Sequence, residues 1–339
     1  MAFRGNLLVP VRIASLLPSA TEIVCALGGL EQLVGRSHEC DYPPGVERAA
    51  VLTSARIGPL PTSRGIDAAV RDVLKDALAV YEIDLDGLRK AAPEVVVTQD
   101  LCDVCAVSLD DVRAAVARLA RSDVRIANLH PTRLDDIWKD IRRVAEAIGR
   151  KEAGDDVVLD LKARVARIAA RADETTRRPT VLSIEWLDPV MIAGMWMPEL
   201  IALAGGTPLV TGPGDHAPTL YKEQLAALDP DVIVVKPCGF DLERTVAELP
   251  VLRETLPWTK WTAVAERRVY VADGNAYFNR PGPRIVESLE ILAACVHPET
   301  FGDFAEKHRS CARAGFVRLE RDLGLAAADL AAFRSAPGK

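Results

Sequence analysis

Two stretches of the chain recur in the same order in its second half, and this internal likeness constrains the fold more than any other feature. Residues Glu22–Gly29 (EIVCALGG), with Gly35 six residues on, align with Glu199–Gly206 (ELIALAGG), with Gly212 six residues on. Residues Leu88–Thr98 (LRKAAPEVVVT) align with Leu225–Val235 (LAALDPDVIVV). The first pair reads as a helix stopped by Gly-Gly and followed by a strand; the second reads as a helix, a Pro-acid turn and a buried strand. Order-preserving self-similarity of this kind points to a duplicated α/β lobe. The alternative is that any two βα units look alike.

The rest of the pattern agrees with two lobes. Strands are predicted at residues 13–17, 33–37, 95–98 and 124–129, then at 180–185, 190–193, 232–235 and 269–272. Helices are expected at 20–27 and 109–121, the latter opened by Ser108 and Asp111 in a capping-box-like start. Between Leu134 and Ala172 the periodicity is purely helical. If residues 151–173 form one helix, it is about 35 Å long at about 1.5 Å per residue, enough to serve as a spine. The expected fold class is α/β: an N-terminal lobe over 11–133, a helical spine over 134–173 and a C-terminal lobe over 174–300. A helical extension, 301–339, follows. The stretch after Val51, carrying Arg56 and Arg64, reads as a long loop.

Composition excludes several classes. Lys and Arg total 42 against 48 Asp and Glu, a net charge of −6 that disfavours a nucleic-acid or anionic-lipid partner. Arg12 interrupts the first apolar stretch, Pro18 and Glu22 interrupt the next, and no uncharged run approaches a membrane span. A cytoplasmic protein without membrane insertion is therefore expected. Seven scattered cysteines fit reduced thiols better than a disulfide framework. There is no Gly-x-Gly-x-x-Gly, P-loop, Gly-x-Ser-x-Gly or His-Glu-x-x-His, so nucleotide binding, serine hydrolysis and zincin chemistry lack support and no catalytic residue is assigned.

In parallel α/β sheets ligands gather at the carboxyl ends of strands, and several reactive side chains fall there. His38 and Cys40 follow the second strand; Cys102 and Cys105 follow the 95–98 strand. Together they form a candidate four-ligand site for Zn, Fe or Co, with Glu39 and Asp41 as outer acceptors. The same Cys-x-x-Cys, just ahead of a helix, has a second reading as a redox dithiol and a third as buried packing. Cys25 and Cys295 lie within helices and read as core. In the second half, Cys238 follows a strand, Trp186 and Trp196 flank the 190–193 strand as flat apolar walls, and Tyr277, Phe278, Asn279 and Arg280 form the last strand-to-helix loop, with Pro281 opening the helix. His130 and Glu185 are polar residues at strand ends. His216, His297 and His308 read as ordinary turn residues.

The ordered motifs SLLPSATEIVCALGG (Ser15–Gly29), a long helix, ELIALAGG and RPGPRIVESLEILA (Arg280–Ala293) resemble the helical-backbone periplasmic binding proteins. Within them the chain is most similar to the Fe/B12 periplasmic-binding domain of ABC transporters for cobalamin and ferric siderophores, on its cobalamin side. The resemblance covers Arg12 to Thr300. It implies two α/β lobes on a rigid helix and non-catalytic binding of cobalamin (vitamin B12) or a related metal chelate in an interlobe cleft. The ligand-contacting candidates are then Ser19, His38, Glu39, Cys40, Arg56, Gln99, Trp186, Trp196, Cys238, Tyr277, Phe278 and Arg280. The cysteine-bearing loops and the absence of an export signal suggest a cytoplasmic offshoot. The alternative is a metal-binding or thiol-redox protein on the same scaffold, using His38, Cys40, Cys102 and Cys105.

Overall fold

The computed structural model describes residues 11–58, 60–75, 80–101, 109–118, 123–258, 260–310 and 312–313. Cys102, Cys105 and Ser108 lie outside them, as do Cys311 and everything after Arg313. The chain divides into two compact units. One holds the chain up to Gly58, Asp72–His130 and Trp138–Val158; the other holds Pro59–Arg71, Pro131–Ile137 and the chain from Leu159.

The first unit runs β1 (Ile13–Ser15), α1 (Pro18–Ala26), β2 (Leu33–Arg36), β3 (Ala50–Val51) and β4 (Thr53–Ala55), then α2 (Ser63–Lys75), which it shares with the second unit. It continues through β5 (Tyr81–Ile83), α3 (Leu85–Ala91), β6 (Val95–Gln99), α4 (Leu109–Arg118) and β7 (Arg125–Leu129) into α5 (Leu134–Ala147). Its main sheet has the order β3-β2-β1-β6-β7 and is parallel throughout. β1 and β6 are buried along their whole length, which is why they read as unbroken apolar runs rather than alternating ones. Ala14, Leu16, Leu88, Val96, Val112 and Val116 form the core on one face.

Helix α6 (Lys151–Asp173) leads into the second unit. There follow β8 (Thr180–Leu187), β9 (Val190–Ile192), α7 (Met197–Leu203), β10 (Thr207–Pro208), α8 (Lys222–Ala226) and β11 (Val232–Val235). α9 (Leu242–Glu248), α10 (Thr262–Ala265), β12 (Val269–Ala272), α11 (Ile285–Val296), α12 (Gly302–Lys307) and β13 (Ala312–Arg313) complete it. The sheet order is β10-β8-β11-β12-β13, with β9 antiparallel to the end of β8 and β13 antiparallel to β12.

Both units share one arrangement around their first strand: β2 flanks β1 on one side with β6 and β7 on the other, and β10 flanks β8 on one side with β11 and β12 on the other. The repeated Gly-Gly has one structure in both. Gly28 and Gly205 take φ of +77° and +83°, and the paired amide bonds Gly28→Cys25 and Gly29→Val24 recur as Gly205→Ala202 and Gly206→Ile201. This left-handed stop satisfies the last carbonyls of α1 and α7 and needs a residue without Cβ. Gly35 and Gly212 diverge: Gly35 lies in β2, whereas Gly212 lies beyond β10, outside any strand.

Three expectations are corrected. The region expected as a long loop after Val51 contains β4, α2 and β5; Ile66, Val70 and Val73 recur at helical spacing and carry the helix signal. The helix expected to open at Pro281 starts at Ile285, because Pro283 disfavours helical geometry at Gly282. His297 and His308 are buried, not turn residues: His297 Nε2 lies 3.1 Å from the Gly205 carbonyl and His308 Nε2 lies 2.7 Å from Glu290 Oε2.

Candidate functional site

In the first unit, the loop leaving β2 folds into a hydrogen-bonded cluster around Thr53 of β4. The Thr53 hydroxyl accepts from the His38 amide at 3.1 Å, meets His38 Nδ1 at 2.8 Å and donates to Ser37 Oγ at 3.1 Å. The His38 ring tilts against Tyr81, whose hydroxyl donates to Glu39 Oε1 at 2.8 Å. Cys40 points inward: its Sγ is buried 3.0 Å from Thr21 Oγ1, which in turn donates to Ser15 Oγ. Ser19 is buried in the first turn of α1. His38 and Cys40 are thus engaged with separate hydroxyl partners. Among the described residues, no group of three or more His, Cys, Asp or Glu gathers within reach of one metal ion. Arg56 lies beyond β4, with Nη1 3.6 Å from Glu82.

At the other side of the same sheet, Gln99 is buried at the end of β6, and Asp100 follows it. Asp100 Oδ1 lies 2.6 Å from Nδ1 of His130, the first residue after β7. Burial raises the Asp100 carboxyl, but hydrogen bonds from His130 and Asn128 outweigh it and hold it below the usual range. The His130 amide donates to Asp140 on α5 at 3.1 Å, and Asp140 also pairs with Arg143.

In the second unit, Glu185 lies near the end of β8, and Lys236 and Cys238 follow β11. Lys236 is fully buried with Nζ 3.4 Å from Glu185 Oε2, and burial drives its ammonium below the ordinary lysine value despite that partner. Cys238 is half-buried; its amide donates to the Glu185 carbonyl. Trp186 tilts against Phe240, and its buried indole N–H has no hydrogen-bond partner among the described residues.

The loop after β12 is stiffly held. Phe278 is fully buried with φ +62°, a conformation rare for a bulky residue. Its amide donates to Ser288 Oγ at 2.9 Å, and its carbonyl accepts from Trp196 Nε1 at 2.9 Å. Trp196 is therefore a strut for this loop. Arg280 is buried with Nη2 3.1 Å from Asn275 Oδ1, and Tyr277 packs edge-on to His308 with Arg284 over its ring.

Residues 13–276 match the family described as periplasmic binding protein. The chain belongs to this family, on its Fe/B12 side. This periplasmic binding protein is 22% identical to a vitamin B12-binding protein of Photorhabdus laumondii over 84% of its own length and 86% of the relative's. It is 26% identical to a cobalamin-binding protein of Halobacterium salinarum over 86% and 70%. Among solved structures it superposes on a periplasmic heme-binding protein from Roseiflexus sp. RS-1 in apo form with a TM-score of 0.62, at 24% identity over 86% and 99% of the two chains.

Two site features of this binding protein escaped the sequence reading. Lys236 was passed over because it closes an apolar strand like any flanking charge, although it aligns with Gln99 of the first repeat. The Asp100–His130 pair joins residues 30 positions apart, and only the neighbouring β6 and β7 bring them together.

Proposed function

We propose that the chain is the substrate-binding protein of an ABC transporter, holding cobalamin or a related metal chelate without chemical conversion. The observation that carries this reading is that similarity to proteins named for vitamin B12 or cobalamin runs through both repeats, covering 84% and 86% of the chain. The site residues support it. Polar groups collect at the carboxyl ends of β2, β6 and β7, and in the second unit the Trp186 and Phe240 rings pack against each other. Flat apolar walls with a few directed donors suit a large macrocycle that carries amides or carboxylates.

The test is a titration of the reduced protein with cyanocobalamin, hydroxocobalamin and hemin, following tryptophan fluorescence and visible absorbance. Saturable one-to-one binding of a cobalamin is expected. Saturation by hemin alone would move the ligand to the porphyrins; indifference to all three would overturn the reading.

A further inference from the structure

The Asp100–His130 pair is built like a metal-donor histidine. An ionised carboxylate only accepts, so Nδ1 of His130 must carry the proton it shares across 2.6 Å with Asp100. In the neutral imidazole the lone pair then sits on Nε2, which makes no hydrogen bond among the described residues, and the side chain is 57% exposed. Asp140, itself buried on α5, fixes the backbone of His130 through its amide. Backbone position, ring rotation and tautomer are thus all set by carboxylates before any ligand arrives. A carboxylate on the far nitrogen is the arrangement that orients metal-binding imidazoles. His38 lacks it: its Nδ1 meets the neutral Thr53 hydroxyl rather than a carboxylate, and its ring leans on Tyr81.

Resting on the ligand class proposed above, we infer that His130 Nε2 coordinates the open axial position of the bound chelate's metal, with Asp100 as its positioning residue. The step is ligand exchange: the Nε2 lone pair forms the bond, the metal-bound water leaves as water, and no oxidation state changes. The ligand selected is therefore a chelate with a displaceable axial water, such as hydroxocobalamin in its aquo form or hemin, over one whose axial site is blocked, such as cyanocobalamin.

The experiment compares wild type, His130→Gln and Asp100→Asn with hydroxocobalamin, hemin and cyanocobalamin, reading affinity by tryptophan fluorescence and coordination by the visible spectrum. In wild type an open-site chelate should acquire the bands of its free-imidazole complex, while cyanocobalamin binds without a band shift. His130→Gln should lose those bands and about tenfold in affinity for the open-site chelate, yet keep its cyanocobalamin affinity. Asp100→Asn should weaken the imidazole-type complex about tenfold through the loss of orientation, again sparing cyanocobalamin. An imidazole-type spectrum that survives in His130→Gln overturns the coordination while leaving the binding function intact. So does wild-type binding of all three ligands with no spectral change. If none of the three binds, the proposed function falls and the coordination with it.

Discussion

Glu94 and Asp231 hold the same position in the two repeats and do the same work. Each carboxylate, placed just after a Pro turn, reaches across to the first strand of its own sheet. Glu94 Oε2 accepts the Arg12 amide at 2.9 Å at the head of β1, and Asp231 Oδ2 accepts the Thr180 amide at 2.7 Å at the head of β8. The strand-heading amide is the one that the ladder leaves without a partner, so a carboxylate there supplies a charge-assisted bond and fixes strand register. The Pro-acid turn is shared between the halves in form, in this contact and in the reciprocal amide bonds from Glu94 to the Arg12 carbonyl and from Asp231 to the Thr180 carbonyl.

The two sites differ in what else they hold. Asp231 also accepts from the Thr180 hydroxyl at 2.9 Å and from Arg177 at 2.9 Å. Burial raises its carboxyl, but the Thr180 and Arg177 contacts outweigh it and keep the group below the usual range. Asp231→Ala should therefore cost about 2–3 kcal/mol, against about 1 kcal/mol for Glu94→Ala, in urea unfolding at neutral pH. Equal costs would mean that the extra contacts of Asp231 contribute nothing.

The helix stops offer a second matched pair. A Cβ on either Gly28 or Gly205 meets the left-handed penalty of about 1–2 kcal/mol. At Gly28 it meets only the guanidinium of Arg150, the flexible end of a side chain. At Gly205 it meets the ring of His297, which is buried and tied to the Gly205 carbonyl. Gly205→Ala should lower the melting temperature more than Gly28→Ala, and additional trimming of His297 to Ala should not restore it, because the backbone penalty remains.

Glu290 anchors α12 to α11 and α6. Its carboxylate takes Lys307 at 2.6 Å, His308 at 2.7 Å and Arg164 at 3.1 Å. Burial alone would raise this acid, but the bonds from His308, Lys307 and Arg164 bring it down to about 2. A depressed folded value stabilises the fold above the unfolded value of 4.5 and is lost as pH falls from there towards 2. Its size is on the order of 3 kcal/mol. Urea midpoints should fall steeply between about pH 5 and 2 in wild type and more shallowly in Glu290→Gln, which starts less stable at neutral pH. Parallel pH profiles would refute the linkage.

Most of the fold was legible because its signals are local. β11, β12 and α6 match their expected bounds residue for residue, since apolar runs bounded by Pro, Gly or charge leave few alternatives. The region after Val51 reads as a loop because β4 and β5 are only three residues long each and α2 alone carries a periodicity. The candidate site was legible as positions and not as contacts. Sequence spacing put His38 and Cys40 on one loop, but rotamers sent the Cys40 thiol to Thr21 and the His38 ring to Thr53. Trp196 was expected as a wall, and its indole N–H is spent on the Phe278 carbonyl 82 positions away. Such pairings depend on tertiary approach and leave no trace in spacing.

That last contact carries a prediction of its own. Phe278 holds a left-handed conformation that costs a bulky residue about 1–3 kcal/mol, and such strain persists only where the surroundings over-determine it. Two bonds do so here, from the Phe278 amide to Ser288 Oγ and from Trp196 Nε1 to the Phe278 carbonyl. Removing either should destabilise the protein by about 1–3 kcal/mol, since each leaves a buried polar group unsatisfied. Trp196→Phe keeps the ring and Ser288→Ala keeps the packing, so both isolate the hydrogen bond. Their double variant should cost less than the sum of the two, because once one strut is gone the loop relaxes and the second no longer holds strain. Denaturant unfolding of the four proteins checks this, and strict additivity would show that the two bonds act independently and that no strain is shared between them.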